Sequence, residues 1–305
     1  MSIRVKISRA RREKEEVVSL HVDEFLIDVK PQREWGWLVI TYLFFGGAGA
    51  GLFLASLYIG HPWAEALGLL LLLIGTLFLL LDLGRPERFW RAFFRARTSW
   101  ISRGCYFITA LTVLGGLDLL LQYAGADAAT AWPVKAGAAV AAVAVMIYTG
   151  FVLSPSPAIP FWNSTFFPVI FFAYSLLAGI DFLILVSPVL PPPVIDVARL
   201  EKVQFGLVLL CLLMVMSHLS VMSGSAIAAR RSIQLLTRGK WGVLFLGGVI
   251  GVGLVIPLLL AWPALWQPSF QTMFAITAAL ALLRLFGDYL FRFLVIRAGL
   301  YDPLL

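Results

Sequence analysis

AEALGLLLLLIGTLFLLLDL, residues 64–83, is twenty positions of almost unbroken apolar sequence, and it runs straight into Asp82-Leu-Gly-Arg-Pro-Glu-Arg-Phe-Trp90. A stretch of that length matches the roughly 20 residues that cross roughly 30 Å of hydrocarbon. The ionic, turn-rich segment behind it marks where such a helix leaves the bilayer. The rest of the sequence repeats the pattern. Of its 305 residues 60% are hydrophobic and only 13% charged, against about 25% charged in an ordinary soluble domain, and its mean hydropathy is +0.90. So much apolar surface has no soluble core to enter, so lipid is the expected solvent.

Eight runs read as spans: Gly36–Gly60, Ala64–Leu83, Ile101–Tyr123, Trp132–Leu153, Ser164–Val186, Lys202–Gly224, Trp241–Ala261 and Thr272–Ile296. Backbone polar groups have no water to bond in lipid, so these are helices. A membrane β-barrel would alternate over strands of about ten residues, and these runs do not alternate. The expected fold is an all-α integral membrane protein with eight transmembrane helices arranged as two four-helix bundles. Residues 1–35 read as a soluble basic N-terminal arm, with a strand-like or extended piece near Val17–Val29, and 36–305 as the transmembrane domain. The first 35 residues are charged and lack the short apolar core of a secretion signal.

The basic residues are unevenly placed. Arg4, Lys6, Arg9, Arg11, Arg12, Lys14, Lys30 and Arg33 precede the first span. Arg85, Arg88, Arg91, Arg95 and Arg97 fill the second loop, and Arg230, Arg231, Arg238 and Lys240 the sixth. With eight spans all of these lie on the side of both termini, and only Lys135, Arg199 and Lys202 lie opposite. The positive-inside rule then places both termini of this multi-pass protein in the cytoplasm. Membrane phosphates explain this charge better than nucleic acid does.

Ionisable residues inside spans are costly and tend to be functional. Here they are Asp82, Asp118, Asp181, His218, Arg284, Asp288 and Arg292. Arg284, Asp288 and Arg292 follow at i, i+4 and i+8, share a helix face and can neutralise one another in sequence; a proton path fits them equally. Asp181 and His218 are further proton-carrying candidates, whereas Asp118 reads as exposed at the interface. Cys105 and Cys211 read as two small core residues. The only histidines are His21, His61 and His218, one of them in a span, so a membrane haem held by two facing histidines has no ligand pair. Neither four-ligand zinc nor iron–sulfur sites fit two separated cysteines. Gly46-Gly-Ala-Gly-Ala-Gly51 follows no strand and opens no βαβ unit, which removes a dinucleotide site; small residues there serve close helix packing.

Taken together, Asp82-Leu-Gly-Arg-Pro-Glu-Arg-Phe-Trp90, Ser99-Trp-Ile-Ser-Arg-Gly104, Phe161-Trp-Asn-Ser164 with Pro168, the glycine cluster and Arg292-Phe-Leu-Val-Ile-Arg-Ala-Gly299 resemble the NrfD/PsrC family of polysulfide reductase-type membrane subunits. The resemblance covers residues from about 35 to 300. It implies a subunit of eight to ten helices that carries no haem or iron–sulfur cluster and binds an exchangeable quinone, menaquinone or ubiquinone, in its first four-helix bundle. It also implies a docked ferredoxin-like iron–sulfur subunit and, through it, a molybdenum or tungsten bis-pterin enzyme, with a hydrogenase or multihaem cytochrome as the alternative. Tyr148 of Tyr148-Thr-Gly-Phe151 matches the family's quinone-contacting tyrosine. Tyr42 stands where the polysulfide reductase branch has histidine; its phenol can donate a hydrogen bond to a carbonyl but is a weak proton donor. The quinone site expected is thus Tyr42, Asp82, Arg85, Tyr148 and Asn163, which the alternation of spans brings to the terminal side. Two other functions fit the charges and interrupted helices: a secondary transporter, and a purely structural anchor of a redox complex.

Overall fold

The computed structural model describes residues 29–191, 195–263 and 274–302. Residues 1–28, which hold His21 and most of the expected arm, lie outside them. Nine α-helices are described: α1 (Trp37–Ile59), α2 (Pro62–Asp82), α3 (Trp100–Tyr123), α4 (Ala128–Phe151), α5 (Phe166–Val186), α6 (Val197–Ser223), α7 (Ile227–Thr237), α8 (Ile256–Ala261) and α9 (Phe274–Arg297). A 3₁₀ segment, Pro86–Arg95, links α2 to α3, and a π-helix, Val243–Val255, runs into α8. Among the described residues the only β pairing is an isolated bridge between Pro31 and Leu300.

The helix ends follow local chemistry. Gly60 closes α1 at φ 75°, a left-handed conformation that costs glycine little, and its N–H bonds Ser56 O. His61 caps the next helix and Pro62 opens it, where a missing N–H is harmless. Ser99, Asp127 and Asp196 cap α3, α4 and α6 with their side-chain oxygens.

Seven helical runs are long and apolar enough to cross a membrane: α1 to α6 and the joined π-helix and α8, Val243–Ala261. This is therefore a multi-pass, all-helical membrane protein. α9 matches the others at 24 residues but carries Arg284, Asp288, Arg292 and Arg297, which sets it apart in composition. The seventh span, expected as a plain helix, is widened into a π-helix over most of its length. Pro257, which has no N–H to give, sits just past the point where the α-helix resumes.

α1 lies at the centre, packed against α2, α4, α5 and α9. Within its apolar window 78% of residues are buried inside the protein, against 28% for α3. The glycine cluster explains how it fits. A methyl group on Gly49 would come within 2.5 Å of the Leu72 backbone nitrogen on α2, and one on Gly51 would run into the Ser175 carbonyl on α5. α2 and α5 thus touch α1 backbone to backbone.

The first and last described residues meet at one end of the bundle. Gln32 N–H bonds Gly299 O at 3.0 Å, Tyr301 N–H bonds Lys30 O at 2.9 Å, and Asp302 N–H bonds Ala158 O at 3.0 Å. Trp162 Nε1 donates to Val295 O at 3.0 Å, and its indole packs on Trp35. This is called the terminal end below; the opposite end is the far end.

Candidate functional site

The alternating helices bring the start of α1, the end of α2, the start of α3, the end of α4 and the start of α5 to the terminal end. Tyr42 of α1 and Tyr148 of α4 are each 3% exposed and belong to one continuous apolar core. The Tyr42 hydroxyl is buried with no hydrogen-bond partner. A buried hydroxyl without a partner costs about 1–3 kcal/mol, which suits it to a bound acceptor. The ring of Tyr148 lies directly on Gly104 of α3, where a methyl would collide with it, and meets Phe107 edge-on at 6.2 Å. Glycine at the end of Ser99-Trp-Ile-Ser-Arg-Gly104 is therefore the seat of that tyrosine.

The other three expected members sit differently. Asp82, Arg85 and Asn163 are exposed, and no ion pair joins Asp82 to Arg85. They lie at the same end as the tyrosines but on its surface. With them lies the whole Pro86–Arg95 segment, which buries no residue and leaves Phe89, Trp90 and Phe94 48%, 50% and 76% exposed. Arg103 anchors its exit by donating to Ala96 O and Arg97 O, each at 2.9 Å, and Tyr106 donates to Phe93 O.

Buried polar groups continue away from this end. His218 of α6 is enclosed by Phe161, Phe166 and Phe167. Its Nδ1 lies 3.2 Å from Ser164 Oγ, and its Nε2 is buried without a partner. Deeper, Arg292 of α9 holds Asp288 through Nε at 2.8 Å and also donates to Leu43 O and Ser175 Oγ. The face of Phe171 lies 4.7 Å from its guanidinium. About 12 Å further along α9, two turns and more at 1.5 Å per residue, Arg284 reaches two other helices. It donates to Asp181 Oδ1 of α5 at 2.8 Å, and to Glu201 Oε1 and Gln204 Oε1 of α6 at 3.2 and 2.7 Å. Gln204 donates in turn to Asp181 at 2.6 Å.

These contacts correct three expectations. Arg284, Asp288 and Arg292 do not neutralise one another as a trio: Arg284 faces α5 and α6, and only the Asp288–Arg292 pair is internal to α9. Asp118 is not exposed at the interface but fully buried, because Gln122 one turn later donates both to it and to Glu65 of α2, each at 2.8 Å. Cys211 is a core residue, whereas Cys105 is only half-buried.

Sequence reasoning also missed Glu65, Glu201, Gln122 and Gln204. Glu65, Glu201 and Gln122 lie in the first or last turns of their helices, where a polar residue ordinarily meets water, and Gln204 one turn further in. Among the described residues no group of three or more His, Cys, Asp and Glu side chains is placed to hold a metal ion.

The family profile described as "Polysulphide reductase, NrfD" matches residues 27–302. A polysulfide reductase subunit from Wolinella succinogenes is 26% identical, the match spanning 87% of the present sequence and 94% of that protein. Protein NrfD of Escherichia coli K12 is also 26% identical, with the same two coverages. On the match to nearly its whole length, the protein belongs to the NrfD polysulphide reductase family.

Proposed function

We propose that this protein is the quinone-reactive membrane subunit of a multi-subunit oxidoreductase, exchanging electrons between a ferredoxin-like iron–sulfur partner and menaquinone or ubiquinone. The observation that carries the proposal is the unpartnered Tyr42 hydroxyl, buried in the apolar core at the end where an aromatic and arginine-rich segment stands exposed. A quinone bound there supplies two-electron, two-proton redox chemistry. Tyr42 and Tyr148 hold its carbonyl oxygens by donating phenolic hydrogen bonds, and the apolar walls keep water from them. Asp82, Arg85 and Asn163 belong to the rim and the partner's docking face, not to the buried contact. A molybdenum or tungsten bis-pterin enzyme beyond the iron–sulfur subunit carries the chemistry on the soluble substrate.

In this reading α9 is the eighth span, completing two four-helix bundles, and the termini lie in the cytoplasm. A charged helix is tolerated at membrane depth because its ions face the bundle interior and pair there. Arg284, Asp288 and Arg292 with Asp181 and His218 then form a route for protons along the second half of the sequence.

The test is quinol turnover by the intact complex in Tyr148→Phe and Tyr42→Phe variants. Loss of one hydrogen bond of about 1 kcal/mol predicts a fall of about five- to tenfold, with partner assembly unchanged. Wild-type turnover in both variants removes the tyrosines from the site. Solute uptake into liposomes by the isolated subunit, without a redox partner, would replace the proposal with a transporter. Partner binding without any quinone analogue bound would leave an anchor.

A further inference from the structure

Among the described residues, Glu65 and Asp118 are the two buried acids that form no ion pair with an arginine or lysine. Both are 0% exposed. They face each other across the α2–α3 contact at the far end, about 25 Å along α2 from Asp82 at 1.5 Å per residue. One amide nitrogen, Nε2 of Gln122, donates to Oε2 of Glu65 and to Oδ2 of Asp118. The remaining oxygens, Oε1 and Oδ1, are buried and have no donor. Sharing that nitrogen at 2.8 Å each holds Oε2 and Oδ2 no more than about 5.6 Å apart.

Among the described residues no ion pair compensates the two acids. His61, one turn before Glu65, spends Nδ1 on the Ala64 N–H and Nε2 on Pro191 O. Lys135 of α4 acts on Glu65 electrostatically but makes no ion pair with it. Asp127 is exposed and bonded to Thr130, and the only titratable side chain at that end of α1, Tyr58, is exposed and bonded to Arg199. Two ionised carboxylates gathered on one amide nitrogen, buried at the edge of the hydrocarbon with no cation paired to them, repel and lose their hydration together. Ionised, both groups only accept; a single proton held by the pair removes one charge and makes one carboxyl a donor.

We propose that Glu65, Asp118 and Gln122 form a proton-binding site: a carboxyl pair that stores one proton at the far end of the bundle, on the surface opposite the buried tyrosines. It stands apart from the ionic side chains of α9. Gln122 is half-buried in the last turn of α3, so the site lies close beneath that surface and exchanges with it. The stored proton belongs to the resting protein, so the proposal holds or fails independently of the quinone reading.

Infrared difference spectroscopy on the purified full-length protein tests it. Wild type is expected to show the carbonyl stretch of a protonated carboxyl that shifts on exchange into D₂O. That band should be lost or displaced in Glu65→Gln and in Asp118→Asn. Should either variant fail to fold, the other decides. Should both fail, wild-type protein labelled with ¹³C in its Asp and Glu carboxyls decides, by the presence or absence of a protonated Glu–Asp pair. A band unchanged in both variants overturns the proposal. So does a wild-type band that appears only once sodium is removed, since the pair would then hold a metal cation.

Discussion

Two pairs of buried carboxyls sit at the far end, and they are answered in opposite ways. Asp181 and Glu201 share Arg284, with Gln204 completing the set. Glu65 and Asp118 share only Gln122. Each pair joins an aspartate five residues before the end of one helix to a glutamate in an early turn of a neighbour, and each has a glutamine within reach. The main difference is a guanidinium. With it, two acids are tied to a third helix by directional, charge-assisted bonds. Without it, two acids are left to an amide and to each other. The first arrangement fixes three helices relative to one another; the second leaves a site whose charge can change.

Removing the guanidinium breaks that contrast most severely. Arg284→Leu leaves Asp181 and Glu201 uncompensated in the interior, and loss of one partner from a buried ion pair costs about 3–5 kcal/mol. Thermal unfolding in detergent should show a large drop or no folded protein. Adding Asp181→Asn and Glu201→Gln to the same variant should recover most of it. A single Arg284→Leu variant as stable as wild type would erase the distinction between the two pairs.

Gln122→Leu makes the same kind of cut in the pair that has no arginine. It removes a donor but no charge, so the expected cost is smaller, about 1–3 kcal/mol, read in the same melts. A loss equal to that of Arg284→Leu would show that the amide carries as much as the guanidinium. The smallest effect is expected where acid and partner meet water. Tyr301 donates to Glu34 Oε2 at 2.7 Å, which holds the Glu34 carboxyl below the usual carboxylate range. That contact contributes above the range and is lost as pH falls through the lowered value. The protection factor of the Tyr301 amide, bonded to Lys30 O and corrected for the intrinsic slowing of exchange in acid, should fall on acidification in wild type and lose that pH dependence in Glu34→Gln.

Much of the fold can be read from hydropathy, because a helix in lipid has to announce its length and its apolarity. The breaks at Asp82–Trp90 and Ser154–Pro160, and the crowded glycines of α1, are legible for the same reason. What sequence does not display is which face of one helix meets which face of another. Arg284 and Asp288 stand one turn apart, so spacing alone marries them, yet α9 packs on α5 and Arg284 spends its donors on the acids of α5 and α6. Asp118 lies near the end of its helix, so depth alone puts it in water, yet Glu65 and Gln122 enclose it. Glu201 falls just outside the apolar run, because the helix begins at Val197, a turn before its lipid-grade portion. Of the expected quinone site, the two tyrosines are buried and three polar residues are on the surface. The motif letters mark an end of the bundle without saying which of them turn inward.

α1 is gripped on both flanks at the distance where one peptide group meets another. A rod held that way has no clearance to roll or slide by itself. Whatever shift reaches its first turn, from a docked neighbour or a departing molecule, must travel as a tilt of the α2–α1–α5 slab as one piece. Glu65 on α2 and Asp181 on α5 ride on the outer members of that slab, so a disturbance at one face of the membrane would arrive at both acid pairs at once.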